Sequence, residues 1–498
     1  MKGKKQFRNL LLNIISRAAT AALAIAVVFA LTVVMSQSAH AQKPATGGGS
    51  TERVLYSFDA NGVDGYDPWA GLIFDAAGNL YGTTAEGGTY GSCYGGCGTV
   101  FELTPTAGGG WAEQVLYSFG NGTDGAFPAA GLIFDAAGNL YGTTLGGGDY
   151  GYGTVFELTP TVGGGWTEQV LYSFNLNGTD GVWPAANLIF DRSGNLYSTT
   201  WGGGEYEYNC DNGVPGCGTV FELSPTAGGG WTEQVLWNFG NGTDGTNPEA
   251  GLIFDAAGNL YGTTVNGGTY DNCSYGGCGT VFELTPTAGG GWTEQVLHNF
   301  GNGTDGAYVY GGLIFDAAGN LYGTASGGGT YTSCLGGCGM VFELTSTGGG
   351  GWTETVLYSF GNGTDASAPT ASLIFDRSGN LYGTTEWGGT YDNCIPPYGC
   401  GTVFELKRTA GGGWTEQVLH NFGNGADGTD PFAGLIFDAA GNLYGTTEGG
   451  GTYGVGTVFE LTPVYVYPCA ECSHSVPAEV GVPNREARRA GAGEIGRR

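Results

Sequence analysis

The stretch Gly131-Leu132-Ile133-Phe134-Asp135-Ala136-Ala137-Gly138-Asn139-Leu140-Tyr141-Gly142-Thr143-Thr144 decides the fold. Its apolar triplet has no polar face, as a strand covered on both sides requires. Asp135 to Asn139 reads as a hairpin turn, with the Asp carboxylate capping backbone N–H groups and Gly138 free to take positive φ. Leu140 to Thr144 is then the returning strand. Two further β-rich runs follow at 153–158 and 166–174, the first after a Gly-rich loop and the second after a looser hairpin. The unit therefore predicts four antiparallel strands, at 131–134, 140–144, 153–158 and 166–174.

Leu-Ile-Phe-Asp recurs seven times, ending at Asp75, Asp135, Asp191, Asp255, Asp316, Asp376 and Asp438. Seven units of four strands predict an all-β chain folded as a seven-bladed β-propeller. The array opens with a lone fourth-strand sequence, Val54-Leu55-Tyr56-Ser57-Phe58, and stops after a third strand at 456–461. The N-terminal strand is expected to complete the last blade and close the ring, which removes exposed sheet edges. The recurring Tyr of the second strand and Phe of the third are expected to pack between blades.

Residues 1–41 read as a signal peptide: Lys2, Lys4, Lys5, Arg8 and Arg17 precede an apolar run at 18–35 and the small-residue site Ala39-His40-Ala41. Removing it takes the formal charge from −29 to −34. So acidic a chain repels polyanions, which argues against nucleic acid and anionic membranes as partners. Residues 42–52 are expected to be a linker, 53–463 the propeller, and 464–498 a polar, disordered tail. Export implies a secreted, periplasmic or cell-surface protein, with no membrane insertion after signal cleavage; a monomer is expected. Gly supplies 101 of 498 residues, but at fixed places between β-rich runs, so it punctuates strands and does not mark a disordered chain.

Ten cysteines fall in pairs in the loop after the second strand: Cys93/Cys97, Cys210/Cys217, Cys273/Cys278, Cys334/Cys338 and Cys394/Cys400. The two short loops, around 151–153 and 454–456, lack both members, so the residues come and go together. That predicts a disulfide in each of the five loops, the expected state outside the cytosol. Zinc is a poor rival, since each loop offers two thiols and no His. Cys469 and Cys472 form a sixth pair in the tail.

The repeated Gly-Leu-Ile-Phe-Asp-Ala-Ala-Gly-Asn-Leu-Tyr-Gly-Thr-Thr and Gly-Thr-Val-Phe-Glu-Leu resemble the Gloeobacter–Verrucomicrobia (GloVer) tandem repeat of choice-of-anchor exported bacterial proteins, over about 53–462. The resemblance implies export and surface display and carries over no catalytic residues. Members of that family end in sorting anchors; after Pro468 this chain turns polar and Arg- and Ala-rich.

In a propeller, the loop after the second strand and the connection to the next blade share one face, and here that face holds nearly all the variation between repeats. Recognition residues concentrate on such rigidly supported loops. Its aromatic residues are the candidate ligand-binding set: Trp69, Phe127, Trp183, Tyr308, Tyr310 and Phe432 before the inner strands, with Trp201 and Trp387 from the loop after the second. Such rings stack on sugar C–H faces while carboxylates take hydroxyls. The expected function is an exported binding or adhesion module, for extracellular polysaccharide or a surface protein. The alternatives are a structural surface protein without a small ligand and a carbohydrate-active enzyme using carboxylates such as Glu86, Glu249, Glu386 and Glu448. Enzymatic activity is the weaker reading, because polar residues recur in several copies where a catalytic group would break the repeat once. No cofactor is implied beyond calcium, which Asp124, Asp180, Asp244 and Asp305 in Gly-rich connections could hold.

Overall fold

The computed structural model describes residues 50–462, apart from 207–209, 211–214, 274–275, 335, 364 and 395–397. The signal segment, most of the linker and the tail with Cys469 and Cys472 lie outside the described residues. Seven antiparallel four-stranded sheets form a ring, a seven-bladed β-propeller. No helix among the described residues is long and apolar enough to cross a membrane.

In blade 2 the strands are Ile133–Phe134, Leu140–Thr144, Thr154–Pro160 and Trp166–Ser173, from the axis outward. The inner strand is shorter than 131–134. Only Ile133 and Phe134 pair with the second strand, at Tyr141 and Leu140. The backbone upstream is drawn to the neighbouring blade instead, where Thr83 Oγ1 donates to the Ala130 carbonyl (3.0 Å). The turn forms as its residues require: Ala137 and Asn139 N–H groups donate to Asp135 Oδ1 at 2.9 and 2.8 Å, and Gly138 has φ 87°.

The ring closes through the N-terminus. Thr51–Ser57 lies antiparallel to Thr457–Thr462, with Thr51 opposite Thr462 and Ser57 opposite Thr457, and becomes the outer strand of blade 7. Blades are stitched together by aromatic pairs. Each second-strand Tyr meets the inner-strand Phe of the next blade edge to face, as in Tyr81–Phe134 at 5.1 Å, and Tyr444–Phe74 at 5.1 Å completes the circuit. A second row joins the Phe after each outer strand to the third-strand Phe of the next blade, from Phe58–Phe101 (5.1 Å) to Phe422–Phe459 (5.0 Å). Such geometry adds about 0.5–1.5 kcal/mol per pair beyond burial.

All five loop disulfides are formed: Cys93–Cys97, Cys210–Cys217, Cys273–Cys278, Cys334–Cys338 and Cys394–Cys400. The second cysteine of each pair is fully buried. The loops also fold back on the connection entering the blade, as where Gly146–Gly147 pairs with Gly125–Ala126.

Candidate functional site

Upstream of every inner strand the chain crosses one end of the ring, and three positions there define the site. The first lies eight residues before the turn Asp: Asp67, Phe127, Trp183, Asn247, Tyr308, Ala368 and Asp430. All seven have left-handed backbone, with φ between 53° and 61°. None is Gly, so each carries a strain that its surroundings must fix. They do so from two sides: Trp183 N–H donates to the Tyr152 carbonyl of the preceding blade (2.9 Å), and its own carbonyl accepts from Trp201 N–H (3.1 Å). Pro follows in six repeats and presses on the preceding blade; a Cβ on Gly98, which has φ 90°, would meet Pro128 Cδ at 2.5 Å.

The second position, six before the turn Asp, is Trp69, Ala129, Ala185, Glu249, Tyr310, Thr370 and Phe432. These residues line a shallow axial depression of about 110 Å³. The carbonyl after each of them accepts a hydroxyl from the second strand of the preceding blade, from Thr83 to Ala130 (3.0 Å) round to Thr446 to Ala70 (3.0 Å). The mouth therefore stands on backbone clamped from blade to blade. The third position, four before the turn Asp, is Gly in five repeats and Asn187 and Ser372 in the others. Asn187 Oδ1 accepts from Gly131 N–H (2.6 Å) and Ser372 Oγ from Gly312 N–H (2.8 Å), each across a blade boundary.

Ring order sets what faces what. Phe432 and Trp69 come from adjacent blades, with Glu249 and Tyr310 from another adjacent pair across the mouth. Blades 6, 7 and 1 add a belt of carboxyl groups. Burial, with Glu448 and Glu86 nearby, pushes Asp67 up to about 8. Burial and the charges of Glu448 and Asp430 take Glu386 to about 8. Glu448 rises to about 7, chiefly by burial and the Asp430 charge, and Asp430 to about 6 by burial. Burial also raises Glu86, against which the Tyr66 hydroxyl acts.

Of the eight aromatic residues singled out from sequence, Trp69, Tyr310 and Phe432 line the axial mouth. Phe127, Trp183 and Tyr308 occupy the left-handed position. There Trp183 is only 2% exposed and Phe127 7%, so both rings are packing residues under their loops and not open platforms. Trp201 is half-buried against Trp183, with ring centroids 6.2 Å apart, and Trp387 lies against Tyr398 at 5.2 Å. Asn187, Thr370, Ser372, Asp67 and Asp430 are further residues at these three positions, each marked in the sequence by a departure from the repeat at a fixed offset from the turn Asp. Asp124 spends both oxygens on its own turn, accepting from Tyr117 Oη (2.9 Å), Gly120 N–H (3.0 Å) and Asn121 N–H (3.1 Å), whereas Asp180 Oδ1 and Asp244 Oδ2 are buried without a hydrogen-bond partner. Among the described residues, no group of three His, Cys, Asp or Glu side chains is placed to hold a metal ion.

The Gloeobacter/Verrucomicrobia repeat model matches residues 42–275, 208–394 and 330–468. No curated protein matches the chain. Among solved structures, a luciferin-regenerating enzyme aligns over 83% of this chain and 95% of its own at 12% identity, with a TM-score of 0.39. A likeness that remote carries no argument about function.

Proposed function

We propose a function from one premise: this chain belongs to the Gloeobacter/Verrucomicrobia repeat family, so what distinguishes it lies where its repeats differ. It acts as an exported recognition module that holds a saccharide ring of an extracellular glycan at the axial mouth of the propeller. The observation supporting this reading is convergence: the residues that break the repeat meet at one end of the axis, bringing Trp69, Tyr310 and Phe432 together with Glu249 and Thr370. Aromatic faces complement sugar C–H groups, and the carboxylate and hydroxyl suit sugar hydroxyls. The depression is smaller than the roughly 300–1,000 Å³ typical of enclosing ligand pockets, so it suits a chain end or a single ring.

The test is an array of environmental and bacterial polysaccharides probed with the oxidised mature protein, with and without calcium. Selective retention is expected, weakened at least about tenfold, or 1.4 kcal/mol, by Trp69→Ala and by Phe432→Ala. A blank array, or retention indifferent to both substitutions, defeats the reading and favours a structural surface role. Glycan cleavage is a second reading with one observation behind it: blades 6, 7 and 1 gather carboxyls close behind the mouth-lining residues Trp69 and Phe432 in sequence, with Asp67 near 8 and Asp430 near 6, a spread suited to an acid and a base. It requires new reducing ends that disappear in Asp67→Asn or Glu386→Gln; their absence across the same panel removes it.

A further inference from the structure

Every outer strand carries a Glu in its Thr/Ala-Glu-Gln/Thr-Val segment or the closing strand's equivalent: Glu52, Glu113, Glu168, Glu233, Glu294, Glu354 and Glu416. In all seven, Oε1 is buried and has no hydrogen-bond partner within the chain. A single orphaned carboxylate oxygen would be a local oddity; one at each blade boundary is part of the design of the ring.

What faces five of these groups makes their charge costly, while at two boundaries a His opposes that effect. Glu113 faces Asp64 and Tyr56 of the neighbouring outer strand and its connection, and Glu168 faces Asp124 and Tyr117 in the same way. Glu233 meets Asp180 and Tyr172, and Glu416 meets Asp365 and Tyr358. Glu294 faces Asp244, beside which Trp237 stands in the Tyr position. At the remaining two boundaries His takes that position: Glu354 faces His298 and Asp305, and Glu52, on the closing strand, faces His420 and Asp427. The Asp keeps donors at one oxygen, as Asp64 Oδ2 has Tyr56 Oη (2.9 Å) and Asp59 N–H (3.0 Å), although Asp64 Oδ1, Asp180 Oδ1 and Asp244 Oδ2 are orphaned as the Glu oxygens are. The Glu has no such donor at Oε1, so the proton belongs on the Glu.

We propose that the blade boundaries are proton-linked: each closes over a protonated Glu, so that the ring is tightest in mild acid and loosens as these protons leave. Burial and the facing Asp push Glu113, Glu168, Glu294 and Glu416 up to about 7 and Glu233 to about 8. Burial takes Glu52 to about 7 against the opposing effect of His420, and it raises Glu354 against that of His298. These native values lie above the ordinary Glu value of 4.5. The native state therefore binds more protons than the unfolded chain between about pH 4.5 and 8, and stability falls as pH rises through that window. Sevenfold repetition turns a small effect at one boundary into a steep one for the ring.

The test is the denaturation midpoint of the oxidised mature protein from pH 5 to pH 9, at low and high salt. The midpoint is expected to be highest near pH 5, to fall to pH 8 and then to level, with a slope that salt reduces little because the groups are half-buried with Oε1 shut off from solvent. Glu113→Gln, Glu168→Gln and Glu233→Gln, combined stepwise, should flatten the slope and raise the pH 8 midpoint above wild type, while exposed Glu205→Gln changes neither. Unfolding in weak buffer at pH 6 should release on the order of five protons from wild type and fewer from the triple variant. A flat profile, a slope indifferent to the interface substitutions, no proton release, or calcium restoring the pH 8 midpoint would each overturn the proposal.

Discussion

Thr384 Oγ1 donates to the Ala433 carbonyl at 2.8 Å, and Ala433 follows Phe432 in the mouth. One hydroxyl thus serves two ends, joining blade 6 to blade 7 and fixing the backbone that presents an aromatic ring. Thr384→Val keeps the shape and leaves a buried carbonyl without its donor, at an expected cost of about 1–3 kcal/mol in chemical denaturation. Glycan retention should weaken with it although the side chain touches no ligand. The neighbouring Thr shows how the molecule tolerates exceptions. In six blades it shares a hydroxyl contact with the first Thr of the third strand, as Thr144 does with Thr154 at 2.8 Å, whereas in blade 5 both partners change together, to Ala325 and Met340. Exchanging both members of a buried polar pair for apolar groups avoids the penalty that changing one would incur. Such residue roles were legible as repeats, but their partners were not, because the acceptor lies about fifty positions away in the next blade.

At the scale of the element, hairpins were readable and loops were only half so. The Asp-Ala-Ala-Gly-Asn turn satisfies its own backbone, so local chemistry suffices to specify it. The disulfide loop does not stand alone: the Cys97 carbonyl accepts from the N–H of Phe127, the left-handed residue of the next blade (2.8 Å). In the two loops without cysteine, the carbonyls of Tyr152 and Val455 hold Trp183 and Asp67 in the same way. The bridges therefore brace the mouth as well as the loops. Reducing them should cost at most about 2 kcal/mol each, given the short loops they close. It should also raise amide exchange at Phe127, Asn247, Tyr308, Ala368 and Asp430 while sparing Trp183 and Asp67. Uniform protection after reduction would show the bridges to be incidental to the mouth.

For the molecule as a whole, closure is the vulnerable event. Blade 7 borrows its outer strand from the start of the chain, and with it come the Phe58–Phe101 contact and the hydrogen bond from Ser50 Oγ to the Leu419 carbonyl. Deleting 50–58 should leave Thr457–Thr462 as an open edge, lowering cooperativity and producing oligomers in size-exclusion chromatography. Grafting the same segment after residue 462 should restore a cooperative monomer, since pairing needs the strand and not its place in the chain. Acid stability belongs to this scale too, because a repeated Glu at one boundary is a minor defect and at seven it governs the pH response of the ring.

The sequence by itself determined the blade count, the four-strand unit, the closing strand, the turn chemistry and the five cysteine pairs. Each of these follows from periodicity or from contacts within a few residues. Only the tertiary structure decided which breaks in the repeat share a site. It sends Trp183 and Phe127 into the packing while leaving Trp69, Tyr310 and Phe432 around the axis, and it brings Asp67 and Glu386 within reach of the Glu448 charge and Glu386 and Glu448 within reach of that of Asp430. It also buries one oxygen of the outer-strand Glu at every boundary. The physical reason is the same throughout: a repeat fixes what each residue does within its blade, whereas burial and electrostatic coupling arise between blades, at separations that linear spacing does not encode.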